Sequence, residues 1–204
     1  MTDRLLGTTV MINSLSPDTT YGTFTAMTFG YLYDKGGLEV FRSFFWNTLP
    51  VNTRVKACYF HGYVGSIWPS GLVSGTFARV IPTFYAEGYV TWNDVFKPTL
   101  PWTSPGCSAV EFDYSLTPTP VPFTVSAENA WADPIDITSL AVDAMENRSR
   151  VLSVRIRGDV ETGGPGTGLY SGFRSDDHAT VATRPYLEIT EYDGTSLMIP
   201  LVMN

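Results

Sequence analysis

Turn-forming residues divide this chain into short apolar segments, and that division restricts its fold more than any other feature. The sequence holds 18 Gly and 14 Pro in 204 residues, and both residue types interrupt helices and regular strands. We find no stretch of about twelve residues or more with the 3.6-residue apolar periodicity of an amphipathic helix. The chain is therefore predicted to be built mainly from short strands.

About ten segments have the character of strands. The clearest is 151–157, in which three aliphatic residues alternate with a serine and two arginines, so that Arg155 and Arg157 are predicted to face water. One short helix is predicted over 136–145. The other predicted strands are 23–33, 40–46, 54–64, 74–85, 109–114, 123–126, 168–173, 186–192 and 196–202.

The number and spacing of these strands are typical of an all-β sandwich or barrel. A chain of 204 residues is long enough to bury one substantial core, and a sandwich of this size commonly forms a single domain. We therefore expect a single all-β domain over residues 1–204, with at most one short helix.

Charge and apolar patterning exclude two classes of partner. The formal net charge is −7, and no run of Lys and Arg is present to neutralise a phosphate backbone. The longest apolar stretches, such as 196–202, are far shorter than the roughly 20 residues that a membrane-spanning helix needs. We expect neither nucleic acid nor a membrane as partner.

Two cysteines, Cys58 and Cys107, are present. Their spacing matches neither a metal-ligand pattern nor a redox CxxC motif. The pattern leaves two alternatives, which are two buried free thiols or one disulfide.

Several landmarks occur in a recognisable order along the chain. They are Ser-Pro-Asp-Thr-Thr-Tyr-Gly at 16–22, Arg-Ser-Phe-Phe-Trp-Asn-Thr-Leu-Pro-Val at 42–51, Arg-Val-Lys-Ala-Cys-Tyr-Phe at 54–60, Glu-Gly-Tyr-Val-Thr-Trp-Asn at 87–93, Ile-Asp-Ile-Thr-Ser-Leu at 135–140, Gly-Phe-Arg-Ser-Asp-Asp-His at 172–178 and Thr-Arg-Pro-Tyr-Leu-Glu-Ile-Thr at 183–190. Together they resemble the DNRLRE domain family and related carbohydrate-binding modules, over about residues 13–192. The resemblance implies a jelly-roll-like antiparallel β-sandwich that is usually a non-catalytic module of surface or secreted proteins and in some members binds polysaccharide.

Members of that family commonly stand beside a catalytic or repeat region, whereas this sequence resembles one module alone. It starts at Met1 and shows no basic segment followed by an apolar stretch, the pattern of a secretory signal. An acidic, free-standing sandwich suits a virion structural protein, such as a bacteriophage decoration or tail protein. We expect a location on a virion or extracellular surface, and as partners other virion or surface proteins, polysaccharide and further copies of the chain.

An apolar tail, residues 193–204, follows the part that resembles the family. It is either an extra strand of the sandwich or an arm that adds to the exposed sheet edge of a neighbour. The residues of this tail that are expected to carry assembly are Leu197, Ile199, Leu201 and Val202.

The sequence offers little catalytic chemistry. It has no G-x-S-x-G elbow, and neither His61 nor His178 lies in a recognisable catalytic setting. We interpret His178, which follows Asp176 and Asp177, as part of a polar turn whose side chains bond the backbone. We expect no catalytic residue and no enzyme activity.

Scattered carboxylates allow one further alternative. A glycosidase uses two carboxylates about 5–9 Å apart, and Ca²⁺ takes six to eight oxygen ligands. No EF-hand spacing is present, so we expect no required cofactor, with Ca²⁺ as an open alternative. The residues concerned are Asp94, Glu111, Asp113 and Glu128.

Aromatic side chains are the remaining candidates for binding, because the C–H faces of sugar rings pack on Trp and Tyr. Trp68 and Trp102 fall in predicted loops, and with Tyr63 and Tyr85 they form the predicted glycan contacts. The alternative is that the loop tryptophans close the ends of the sandwich. Trp46 is expected in the core.

These observations favour a non-catalytic structural or binding protein. The alternative is a secreted polysaccharide-binding module detached from a larger enzyme, which predicts the same kind of aromatic site. A polysaccharide lyase or hydrolase is a third interpretation, and it requires a catalytic cluster that the sequence does not show.

Overall fold

Strands and the contacts between them dominate this protein. Its structure is a computed structural model that describes residues 7–34, 36–51, 54–82, 87–192 and 196–200. Within those residues every pairing between named strands is antiparallel, and one short α-helix is present. The predicted fold class, an all-β antiparallel sandwich with at most one short helix, is confirmed. No described helix has the length and apolar character to cross a membrane.

The elements follow one another along the chain. The helix α1 is Thr138–Asn147, and two short 3-10 turns are Glu87–Tyr89 and Val181–Thr183. The strands are β1 Gly7–Asn13, β2 Ala26–Asp34, β3 Gly37–Thr48, β4 Val55–His61, β5 Tyr63–Trp68, β6 Val73–Val80, β7 Asp94–Phe96, β8 Leu100–Pro101, β9 Tyr114–Ser115, β10 Val121–Val125, β11 Ala130–Trp131, β12 Ile135–Asp136, β13 Val151–Gly158, β14 Gly168–Arg174, β15 Tyr186–Glu191 and β16 Ser196–Pro200.

Two sheets make the sandwich. Strands of the large sheet follow the order β10-β6-β13-β3-β2-β14-β5-β11, with β1 also paired to β3 and β9 to β6. The second sheet has the order β12-β4-β15-β16, and β7 and β8 form a separate pair. Gly62 connects β4 to β5 and so takes the chain from one sheet to the other. A Cβ at Gly62 would lie 2.5 Å from the ring of Phe173, so this close crossing needs glycine.

Phenylalanine rings fill the space between the two sheets. Phe60 of the second sheet lies 5.2 Å from Phe45, 5.1 Å from Phe77 and 5.5 Å from Phe173, measured between ring centroids, and those three belong to the large sheet. All four side chains are fully buried. Such pairs stabilise the fold through buried apolar area and ring geometry. Helix α1 adds apolar side chains to the same core.

A second core lies on the opposite face of the large sheet. Residues 87–114, which we call the covering segment, pack there against β1, β3 and β6. Phe44 and Trp46 of β3 belong to this second core, whereas Phe45 between them belongs to the first. Trp46 is therefore a core residue, as predicted. Because both faces of β3 are buried, its sequence is continuously apolar there and does not alternate.

Arg155 and Arg157 do not face water as the alternation of β13 predicts. Arg155 is only 2% exposed and Arg157 is half-buried, so that prediction is wrong. The covering segment shields this face, and the guanidinium of Arg155 lies 3.6 Å from the ring centroid of Tyr114. Its Nη1 donates to the carbonyl oxygen of Cys107 at 2.5 Å. Burial lowers the pKa of Arg155.

Arg42 also lies buried in the second core. Its guanidinium donates through Nε and Nη2 to the two carboxylate oxygens of Glu161, at 2.8 and 2.5 Å. Nη1 donates to the hydroxyl of Ser108 at 2.7 Å and to the carbonyl of Gly106 at 2.5 Å. Ser108 and Gly106 belong to the covering segment, so Arg42 binds that segment to the large sheet by charge-assisted hydrogen bonds.

The two cysteines lie in different cores. Cys58 is buried in the core between the sheets and Cys107 in the second core, and both are free. Burial raises the pKa of each thiol to about 12. Of the two alternatives, buried free thiols are therefore confirmed.

The apolar tail forms an extra strand in its described part. Leu197 of β16 pairs with Ile189, and Ile199 pairs with Leu187, so residues 196–200 extend the second sheet. Leu201 and Val202 lie outside the described residues. Strand β16 is the outermost strand in the described part of its sheet, so one of its edges has no partner strand there. The assembly role predicted for these residues stays a prediction.

A buried carboxyl group joins the N-terminal strand to the loop after β14. The hydroxyl of Thr9 in β1 donates to Oδ1 of Asp176, which is fully buried. Its Oδ2 has no hydrogen-bond partner among the described residues. Burial raises the pKa of Asp176 to about 6, although the bond from Thr9 acts in the opposite direction.

We predict that Asp176→Asn removes a pH dependence from the stability of the protein. The folded protein holds the Asp176 proton more tightly than the unfolded chain, so wild-type stability falls as pH rises from about 4 to about 6. The free energy of unfolding of the variant, relative to wild type, should increase by roughly 2–3 kcal/mol between pH 4 and pH 7. Urea denaturation at stepped pH measures this. Asp133→Asn, at an exposed position, is the control, and parallel profiles for wild type and Asp176→Asn would contradict the prediction.

Candidate functional site

A bulge in β5 places two aromatic residues on the outer face of the large sheet. The register between β5 and β14 shifts so that Gly65 has no partner on β14. Val64 and Ile67 consequently both point into the core between the sheets. Tyr63 and Trp68 therefore both lie on the outer face, which strict alternation over five residues would not allow.

Trp68 lies beside an open groove at one end of β5. The side chain is 54% exposed. It lies over Gly168 of β14, where an added Cβ would be 3.0 Å from Cδ1 of both Trp68 and Leu32. Glycine at 168 thus allows the indole to lie close to the sheet. The groove has a volume of about 450 Å³, and we call it the Trp68 groove; its lining residues are Leu32, Tyr33, Asp34, Trp68, Pro165 and Gly166.

Asp34 supplies a carboxylate at the rim of this groove. Its Oδ1 accepts the backbone N–H of Gly36 at 2.8 Å, which orients the exposed side chain. An exposed indole face and an oriented carboxylate together suit a ligand with apolar C–H faces and hydroxyl groups.

A second aromatic group lies at the other end of β5. Trp131 of β11, which is 42% exposed, meets Tyr63 edge-on at 5.6 Å and Tyr186 at 5.5 Å between centroids. His61 stacks on Tyr186 at 4.4 Å. We call these four residues the Trp131 cluster. It spans the corner where β4 of the second sheet leads into β5 of the large sheet.

Charged groups surround the Trp131 cluster. The guanidinium of Arg174 lies 4.4 Å from the ring centroid of Tyr63, a cation–π distance. Nε2 of His61 lies 2.9 Å from Oε2 of Glu188. The hydroxyl of Tyr63 donates to the carbonyl oxygen of Asn129 at 2.6 Å. These contacts fix the rings of the cluster in place.

The structure places the four predicted glycan-contact residues in different environments. Trp68 and Tyr63 lie on one strand and one face, whereas Trp102 is only 4% exposed in the second core. Its ring stacks on Phe44 at 5.6 Å, and its Nε1 donates to the carbonyl of Thr91 at 2.9 Å. Trp102 therefore closes the core, as the alternative interpretation holds, and presents no ring face to a ligand. Tyr85 lies outside the described residues.

Trp131 and Tyr186 were missed by the sequence interpretation. Trp131 lies between Asn129 and Asp133-Pro134, turn-forming residues of the kind that drew attention to Trp68. That signal was available for Trp131. Tyr186 gave no comparable signal, since it opens a strand and joins the cluster only through the crossing of the two sheets.

The carboxylates considered for catalysis or Ca²⁺ act within loops. Asp113 is buried and accepts backbone N–H groups from Thr103, Ser104 and Ala109, at 2.7 to 3.0 Å. The described residues bring together no group of three or more His, Cys, Asp or Glu that could hold a metal ion. Glu111 and Glu128 accept the backbone N–H groups of Leu116 and Ile67, and Asp94 accepts the side-chain hydroxyl of Thr91.

His178 belongs to a hydrogen-bonded turn, as the sequence interpretation expected. Its Nδ1 accepts the backbone N–H of Thr180 at 3.1 Å. Its carbonyl oxygen accepts a bond from Nε of Arg184 at 2.8 Å. Burial, followed by the nearby Arg174, lowers the pKa of His178. The turn leads the chain from β14 into β15.

Comparison with known proteins assigns neither a family nor a function to this chain. No protein-family model matches the chain, and no curated protein matches it. The resemblance to the DNRLRE family is accordingly carried by the sequence landmarks alone and stays a prediction. The site must be interpreted from its own residues.

We predict that Gly168→Ala displaces the indole of Trp68. The new Cβ would lie 3.0 Å from two side-chain atoms, which must move by a few tenths of an ångström. Protein labelled with 5-fluorotryptophan should show a shifted ¹⁹F resonance for Trp68. Gly164→Ala is the matched control, because a Cβ there meets nothing within 4 Å. An unchanged Trp68 resonance in Gly168→Ala would contradict this account of the groove.

Proposed function

We propose that this protein is a non-catalytic binding and assembly module that contacts polysaccharide through the Trp68 groove. The carrying observation is the exposed indole of Trp68, seated over Gly168 beside the carboxylate of Asp34. It acts on a virion or another extracellular surface. There it assembles with further copies of itself or with other structural proteins.

Sugar recognition follows from the chemistry of the groove. The indole of Trp68 offers a flat apolar face on which a sugar ring packs with its C–H groups. The carboxylate of Asp34 accepts hydrogen bonds from sugar hydroxyls. Because Trp68 is the last residue of a paired strand, little conformational entropy is lost when a ligand binds.

The arrangement of acidic residues supports binding without catalysis. Hydrolysis of a glycosidic bond uses two carboxyl groups that flank the bond. Asp34 is the one carboxylate among the residues that line the Trp68 groove. Two of the acids considered from the sequence are engaged with backbone N–H groups instead, Asp113 with a loop of the covering segment and Glu128 with Ile67 of β5.

Strand β16 supports the assembly part of the proposal. It is the outermost strand of the second sheet within the described residues. A strand in that position offers backbone donors and acceptors to a strand of another copy or of a neighbouring protein. Other virion or surface proteins and further copies of this chain are therefore the proposed partners.

We predict saturable binding of at least one polysaccharide and its loss in Trp68→Ala. Isothermal titration calorimetry of the purified protein against bacterial, algal and plant polysaccharides measures this. Removal of the indole should weaken binding about tenfold or more, since the stacked sugar loses its apolar surface. Phe112→Ala is the matched control, because Phe112 is 67% exposed on the covering segment.

Two further outcomes of this titration are informative. Equal affinity for wild type and Trp68→Ala would remove the groove from the proposal. Absence of binding across all polysaccharides would refute glycan contact and leave a purely structural protein. The series is run with Ca²⁺ and again with chelator, and loss of binding in the chelator would establish a Ca²⁺ requirement.

A further inference from the structure

We infer that the Trp68 groove and the Trp131 cluster are two ends of one platform, and that this platform binds an internal stretch of an extended, uncharged polysaccharide. The inference rests on the proposed function and specifies its ligand. We use "platform" for the outer face of β5 and β14 together with Trp131 and Tyr186. Its basis is the placement of Trp68 and of Tyr63, a member of the Trp131 cluster, on the outer face of one strand.

The distance between the two ends suits a polymer. Tyr63 and Trp68 both lie on the outer face of β5. Because the bulge makes this stretch of β5 span four positions of β14, they lie about 13 Å apart along the strand at the usual rise of about 3.3 Å per residue. A single sugar ring contacts one end only. Both ends are in contact at once when the ligand continues over several sugar units.

Glycines keep the surface between the two ends low. Gly65 of β5 is exposed, and a Cβ there would lie 3.6 Å from Cγ of Arg174. A Cβ at Gly172 of β14 would lie 3.3 Å from the hydroxyl oxygen of Ser66. The middle of the platform is thus formed by the stem of Arg174, the Ser66 hydroxyl and the exposed backbone of Gly65, whereas Gly172 is buried beneath Ser66 and Thr28. Tyr170 of β14, the register partner of Trp68, adds a further ring on this face at the Trp68 end.

The middle of the platform carries polar groups that suit sugar hydroxyls. Ser66 and Arg174 are half-buried. The Nη1 group of Arg174 donates to the hydroxyl of Thr183 at 2.8 Å, and its guanidinium lies over Tyr63. Arg174 is thereby held flat along the surface. A hydroxyl of a bound sugar there meets donors that are already positioned.

The order of charges favours an uncharged polymer. Asp34 lies at the Trp68 end, whereas the charges of Arg174 and Glu188 both lie at the Trp131 end, against Tyr63 and His61. A regularly charged polyanion would approach a carboxylate at both ends, and the net charge of −7 would repel it further. Neutral sugars avoid this repulsion and still use the rings and hydrogen-bonding groups.

The rings at the Trp131 end are fixed before any ligand arrives. Trp131 is packed edge-on against Tyr63 and Tyr186, and His61 stacks on Tyr186. A partly exposed indole that is braced by two rings cannot fold down onto the sheet. It therefore offers a second rigid aromatic contact, one strand beyond Tyr63 on β11.

A length series tests the inference. The probes are cellohexaose with cellobiose, xylohexaose with xylobiose, and maltohexaose with maltose, titrated into 5-fluorotryptophan protein. Five tryptophans give five ¹⁹F signals, assigned with Trp→Phe variants. A hexasaccharide should shift the Trp68 and Trp131 signals together and bind about tenfold or more tightly than its disaccharide. The signal of buried Trp102 should stay unchanged.

Variants separate the two ends. Trp131→Ala should weaken hexasaccharide binding about tenfold and leave disaccharide binding at Trp68 unchanged. Trp131→Phe, which keeps a ring, should recover most of the loss and shows that a weakened Trp131→Ala protein is not merely misfolded. Phe112→Ala again serves as the matched control.

Each contrary result has a distinct meaning. Equal affinity for hexamer and dimer, with a silent Trp131 signal, overturns the platform and leaves the proposed glycan contact at Trp68. Tighter binding of hexagalacturonic acid than of every neutral hexamer overturns the assignment of an uncharged polymer. Absence of any binding by all these sugars and by the polysaccharides of the earlier titration overturns both proposals.

Discussion

Burial of both faces of β3 is the constraint around which this structure is organised. One face of the strand directs Phe45 into the core between the sheets, and the other directs Phe44 and Trp46 into the second core. A strand with two apolar faces requires a cover on each side, or it would expose a large apolar surface to water. The second sheet and α1 supply one cover, and the covering segment supplies the other. The platform lies further along the same sheet, at β14 and β5.

The covering segment is fixed to the sheet by cations as well as by apolar contacts. Arg42 and Arg155 direct their guanidinium groups into the second core and bond carbonyl oxygens of the segment. Burial of a cation is expensive, and Nε of Arg155 lacks a hydrogen-bond partner among the described residues. The arginines compensate by satisfying loop carbonyls that have no strand partner. An irregular layer of this length is thereby held in one arrangement against a regular sheet.

The sequence predicted the strand-rich fold and the short helix, because these depend on local turn residues and residue type, but for the two cysteines it left free thiols and a disulfide as alternatives. It failed for Arg155, since alternation along β13 indicates which residues share a face but not whether another layer covers that face. Trp102 was taken for an exposed loop residue because the sequence does not show that the covering segment forms a layer over the sheet. The site was predicted in part. Tyr63 and Trp68 were chosen for their residue type, but their common face depends on the bulge at Gly65, and Tyr186 reaches the cluster only through contact between two sheets.

The two thiols make the cores separately observable. Cys58 lies on one side of the large sheet and Cys107 on the other, and both are held as unreactive thiols by burial. Only the thiolate reacts with alkylating reagents, so each cysteine becomes reactive when its own side of the sheet opens. Local opening differs in free energy from one part of a protein to another. The alkylation rate of Cys58 therefore reports opening of the core between the sheets, and that of Cys107 reports opening of the second core. Comparison of the two rates gives the order in which the sandwich and the covering segment come apart.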